Sequence, residues 1–179
     1  MLTSSKTSTT IFCAFSLFLV FFNPSYGNEV LNTETITDKI GAWIKVCNED
    51  PEECAWVQLA LNSEGKQVAR FVIKKPSPID NKIDSIVDIM VPFTTGIVNL
   101  RNGIALQVDR SEPFSEQFTF CDQTGCTARV LLTVSGTRLL SSAATLKIQY
   151  NDLSKENSVE YLYVSLVDLS KVLLTFSKN

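Results

Sequence analysis

The chain contains no histidine. That one absence removes histidine-based catalytic triads, Cys–His nucleophile pairs and every metal site built on imidazole. A glycine-rich phosphate loop, a nucleophile elbow and calcium-loop spacing are missing as well. Lysine and arginine never gather into a run or a stripe, so nucleic acid and anionic lipid surfaces are not expected partners. Nothing repeats internally, and no segment is low in complexity. No apolar run is long enough to cross a bilayer: Ile11–Phe22, broken only by Ser16, spans roughly 18 Å against a hydrocarbon core of ~30 Å.

That short apolar run has the setting of a processing segment. Lys6 and the amino terminus make a modest positive region ahead of it, and Pro24 ends it. Ser25 and Gly27 then place small residues at the minus-three and minus-one positions of a cleavage site. The expected organisation is a cleaved signal peptide over 1–27, a flexible Thr-rich leader over 28–40 and one domain over 41–179. A retained anchor is the alternative reading of the same run. Cys13 lies inside it, lacks the small preceding residues of lipoprotein processing, and is expected to leave with it. Without Lys6, 15 basic and 19 acidic side chains remain, a net charge of −4 that mainly favours solubility.

Cys47, Cys54, Cys121 and Cys126 are an even set behind an export signal, which reads as a disulfide framework. Of three pairings, Cys47–Cys54 and Cys121–Cys126 are favoured because each flanks its own turn. A long-range pairing is the alternative. The gaps do not match the two-residue knuckles of structural zinc, so neither metal nor cofactor is expected.

From Gly41 onward, short β runs alternate with turns. Ala42–Cys47, Ala55–Leu61 and Gln67–Ile73 read as an antiparallel meander closed by Pro76 and Pro78. Ile83–Val91 is a further strand. Asn102-Gly103 between Ile97–Leu100 and Ile104–Val108 reads as a hairpin. Glu116–Cys121 and Cys126–Val134 enclose Asp122-Gln123-Thr124-Gly125, with Gly125 suited to a left-handed position. Phe118, Phe120, Ala128, Val130 and Leu132 alternate as on a half-buried sheet. Gly136–Ser142 is a short helix or an irregular crossing, and Leu146–Tyr150 and Val159–Val164 are closing strands. Leu166, Leu169, Val172, Leu173 and Phe176 repeat at helical spacing behind a Ser165–Asp168 capping box. The expected fold class is all-β, an antiparallel sandwich or barrel-like single domain with a short C-terminal helix.

Carboxylate chemistry has two candidate groups. Glu49, Asp50, Glu52 and Glu53 sit on a polar turn and read as a solvated loop. Asp80, Asp84 and Asp88 recur every four residues and read as the solvent face of an edge strand. Trp43 and Trp56 flank the first cysteine pair. They either pack together over that bridge or present a protein- or sugar-binding face. Tyr150, Tyr161 and Tyr163 read as sheet neighbours. No catalytic residue is expected, and the chain reads as a non-enzyme.

Several segments, in order, resemble the invasion-associated locus B family of alphaproteobacterial exported proteins. Gly41-Ala42-Trp43 with Cys47, Cys54 and Gln58 is similar to its N-terminal pattern. Val91-Pro92-Phe93-Thr94-Thr95-Gly96-Ile97, with Leu100, Gly103-Ile104 and Asp109, is similar to its central loop and hairpin. Phe120-Cys121-Asp122-Gln123-Thr124-Gly125-Cys126-Thr127-Ala128 resembles its most specific stretch, and Ser165-Leu166 its ending. Val167-Asp168-Leu169 stands where the family has Lys-Gly-Phe. The resemblance runs from Gly41 to Leu173. It implies a β-sandwich-like protein of the periplasm or outer surface, or a secreted one, linked to host-cell entry, notably of erythrocytes. Its partners would be a host-cell surface protein or glycan, or another envelope protein. A periplasmic housekeeping or stabilising module is the second reading.

Overall fold

The computed structural model describes residues 35–47, 54–76, 82–93, 98–155 and 158–176. The expectations for 1–34, for the acidic turn Glu49–Glu53, for Asp80 and for Thr94–Ile97 therefore lie outside the described residues. The chain forms β1 (Thr35–Ile40), β2 (Trp43–Cys47), β3 (Cys54–Asn62), β4 (Gln67–Lys74), β5 (Ser85–Pro92) and β6 (Ile104–Val108). There follow β7 (Phe114–Glu116), β8 (Phe118–Cys121), β9 (Gly125–Leu132), α1 (Val134–Ser142), β10 (Thr145–Asp152), β11 (Ser158–Ser165) and α2 (Leu169–Phe176). Every strand pairing is antiparallel.

One sheet runs β7-β6-β10-β11-β3-β4-β5-β9-β8, with the β1–β2 hairpin attached to β3. The edge of β3 is shared: Cys54–Val57 pair with β2, and Leu61–Asn62 pair with β11. Its ends come back together, since β7 approaches β9, and the sheet is nearly closed and barrel-like. Two-residue alternation decides what fills it. Val87, Ile89 and Val91 of β5 point inward, as do Leu146, Ile148 and Tyr150 of β10 and Phe71 and Ile73 of β4. They make one core, and Leu140 of α1 with Leu169 and Val172 of α2 adds to it.

The β2–β3–β4 meander and the all-β class are as the residue pattern implies, and the 136–142 segment resolves into a helix whose N-cap is Thr133. Four local readings need correction. The flexible leader does not extend to residue 40. Ile36 and Ile40, with two threonines, are β-branched, and Thr35–Ile40 pairs with β2 as a strand. Asn102-Gly103 does not reverse the chain. Val98 bridges to Asp152 and Ile104 pairs with Tyr150, so residues 99–103 loop out of a single strand line along β10. Asp88 is not on an edge strand, because β5 lies between β4 and β9.

The fourth correction concerns the last helix. Ser165 Oγ accepts from Val167 N at 3.4 Å rather than from a helical amide, so the capping box does not form. The helix starts at Leu169, and Lys171 and Val172 donate to the Asp168 carbonyl. Asp168 itself sits at φ +66°, the left-handed region.

Candidate functional site

Trp43 and Trp56, the sequence's candidate interaction residues, are not on the surface. They are 0% and 1% exposed, so neither can meet a partner. Their inward position follows from strand parity, and each buried indole N–H has found an acceptor, as burial requires. Trp43 Nε1 donates to the Val167 carbonyl at 3.0 Å, and Trp56 Nε1 to Thr175 Oγ1 at 3.0 Å. Trp43 also meets Phe71 edge-on, with ring centroids 5.8 Å apart. These two residues tie the N-terminal strands to the C-terminal helix and to the segment just before it.

The cysteines are joined locally. Cys47 is bonded to Cys54 across the β2–β3 pair, and Cys121 to Cys126 across the β8–β9 pair. The second bridge closes a well-organised tip. The Asp122 carboxylate accepts from Thr124 N at 2.7 Å, Thr124 Oγ1 at 2.6 Å and Gly125 N at 3.2 Å. Those hydrogen bonds, the Thr124 hydroxyl first, hold the Asp122 pKa below its ordinary value. Phe93 N donates to the Thr124 carbonyl at 3.2 Å, which ties the tip to the end of β5. Gly125 is needed for close approach rather than for a left-handed turn. Its φ is not positive, and a Cβ there would lie 2.4 Å from the Val91 carbonyl oxygen.

Around this tip the surface is aromatic. Phe93 and Phe120 are 44% and 47% exposed. The alternation rule placed Phe120 inside, and a bulge is why it failed. The register shifts between Phe118 and Phe120, so Phe118 pairs with Ala128 while Phe120 pairs with Thr127 on the opposite face. Phe120 thereby joins an outer row across the sheet: Thr127, Met90, Arg70 and Leu59. A single unpaired residue, Thr119, has no signature in a one-sequence reading.

The neighbouring outer row carries the charge. Arg129 grips Asp88 with two bonds, Nε to Oδ1 at 2.7 Å and Nη2 to Oδ2 at 2.9 Å, and Lys74 Nζ lies 3.1 Å from Oδ2. Partial burial, the largest single effect, pushes the Asp88 pKa up. The hydrogen bonds and charges of Arg129 and Lys74 together outweigh it, and the net shift is downward. The hydrogen bond that Arg129 donates to Asp88 in turn raises the Arg129 pKa. Apolar side chains surround this triad: Ile44, Val57 and Val72 share its row, and Ile86 and Leu131 lie in the next.

Farther around the sheet, Leu61 pairs with Tyr163 and Tyr163 with Lys147, whose ammonium lies 4.1 Å from the Tyr161 ring centre. Tyr150, by contrast, is buried. Among the described residues, no group of three cysteine, aspartate or glutamate side chains could hold a metal ion, and no helix is long and apolar enough to cross a membrane. The arrangement offers contact surface, with exposed aromatics on a covalently closed tip and a mixed apolar and ionic face beside it.

No curated protein matches the chain significantly. Among solved structures, the chain is similar to invasion associated protein B from Bartonella henselae, with a TM-score of 0.65 at 17% identity, covering 81% of this chain and 100% of that one. The profile of the invasion associated locus B protein family matches residues 43–175, from the first core tryptophan to the last turn of α2. The chain belongs to the invasion associated locus B protein family.

Proposed function

We propose that this protein is an exported, non-enzymatic component of the bacterial envelope, or a secreted one, that promotes host-cell invasion, of erythrocytes in particular, through protein or glycan contacts. Membership of the invasion associated family over residues 43–175 carries the reading. The sequence supports it with an export-type leader and with no histidine for the commonest hydrolytic chemistries. The contact surface is the Cys121–Cys126 tip with Phe93 and Phe120. Large amphipathic or aromatic side chains held on a rigid scaffold are what interface hot spots are made of, and the disulfide lowers the entropy lost on binding.

The test is a deletion strain complemented with the wild-type gene, with Phe93→Ser/Phe120→Ser, or with Tyr163→Ser as a surface control. Host-cell entry restored by the wild type and the control but not by the double variant supports the proposal. Normal entry by the deletion strain removes it. Protease treatment of intact cells separates the compartments, since full protection would favour the periplasmic stabilising module.

A further inference from the structure

The core beneath α1 is incompletely filled. A cavity of about 130 Å³ lies between the inner face of the sheet and the helix. Val87 and Ile89 of β5, Leu106 of β6 and Val130 of β9 are among its walls, and every side chain that lines it is aliphatic or aromatic. Two lining residues, Phe114 of β7 and Leu139 of α1, are 42% and 51% exposed, so they stand where the cavity meets solvent. A cavity of this kind has nothing to hold a water molecule. An engineered apolar cavity of about 150 Å³ stays dry and takes up a six-carbon ring.

The segments that frame the mouth carry two arginines. Arg138 directly precedes Leu139, and Arg110 lies in the turn that joins lining Val108 to lining Phe114. Both are exposed, and neither has a carboxylate partner among the described residues. The Asp109 carboxylate in that turn is engaged by the Ala144 and Thr145 amides, leaving Glu112 as the other acid there.

We infer that this cavity binds the end of an aliphatic chain belonging to an anionic amphiphile of the fatty-acid type. About six carbons lie inside, and the carboxylate stays at the rim near Arg110 and Arg138. The site is independent of the surface around Phe120, so either reading can fail without the other.

The experiment is a methyl NMR titration of the mature protein with monomeric decanoate, decanol and decyltrimethylammonium. Saturable shifts confined to the methyls of Val87, Ile89, Leu106, Val130 and Leu139, with decanoate the tightest ligand, are expected. Leu139→Ser, at an exposed position that leaves the fold intact, should weaken decanoate about tenfold. Val130→Phe, which fills the space, should abolish the shifts, and an unchanged amide spectrum outside the cavity shows that it has folded. A parallel arm with phosphatidylglycerol vesicles identifies the source: co-sedimentation points to acyl chains of a membrane, and its absence to a free amphiphile. Absence of saturable shifts, shifts that survive Val130→Phe, or equal binding of all three head groups would overturn the inference.

Discussion

Gly41 and Asp168 face each other so closely that a Cβ on Gly41 would lie 2.5 Å from Asp168 Oδ2, and both residues have positive φ, +58° and +66°. The β1–β2 turn and the start of α2 are thus fitted to one another. Glycine is the residue type that a left-handed backbone favours. Here aspartate accepts the strain, and its carboxylate pairs with Lys171 at 2.6 Å.

Gly41→Ala should destabilise the protein by about 1 kcal/mol, through its left-handed φ and the approach to Asp168. Asp168→Gly should recover part of that loss, because it removes the crowding carboxylate. A double-mutant cycle by urea unfolding measures the coupling, and strict additivity would show that the two positions do not sense each other.

Asp88→Asn should cost about 1–2 kcal/mol at neutral pH, a charge-assisted bidentate bond discounted for the partial exposure of Arg129 and Lys74. The folded pKa of Asp88 lies below its ordinary value of 3.8. The native state therefore binds fewer protons than the unfolded chain in that window, and stability rises with pH there. The contribution is complete above about 3.8 and disappears as pH falls through the folded value. Stability curves of the two proteins between pH 7 and 2 should converge only at the acid end.

Gln58→Met should stabilise the protein. Gln58 is buried, and among the described residues its Oε1 has no hydrogen-bond partner. An unmet buried acceptor costs roughly 1–3 kcal/mol, and a thioether of similar length removes it. Calorimetry should show Tm raised by about 2–4 °C for each kcal/mol gained. A lower Tm would mean that the amide is engaged in solution.

Cys121→Ser/Cys126→Ser should lower stability by about 2 kcal/mol, the loop entropy of so short a closure. The tip should also loosen around Asp122, which faster exchange of the Thr124 and Gly125 amides would report. Exchange unchanged from wild type would mean that the Asp122 hydrogen bonds suffice to order the turn.

Much of the architecture was legible in the residues. Alternation along β3, β4, β5 and β10, and helical spacing from Leu166 to Phe176, follow from burial of one face, which a single sequence records directly. The errors share a cause: each depended on a partner that the local pattern does not name. Asn102-Gly103 turns the chain, but whether it makes a hairpin depends on β10 offering its edge to Val98 as well as to Ile104. Phe120 faces outward because of one unpaired residue. Asp88 looked solvated until Arg129 and Lys74 were brought in from the adjacent strands. The spacing of the tryptophans suits either core or surface, and only tertiary burial separates the two.

The indole of Trp43 waits 124 residues for its acceptor, and that of Trp56 waits 119. A chain still emerging from the ribosome therefore has no partner for either group, and the packing around these two indoles is completed only when the final segment is free. Completion of folding is deferred to the last step of synthesis.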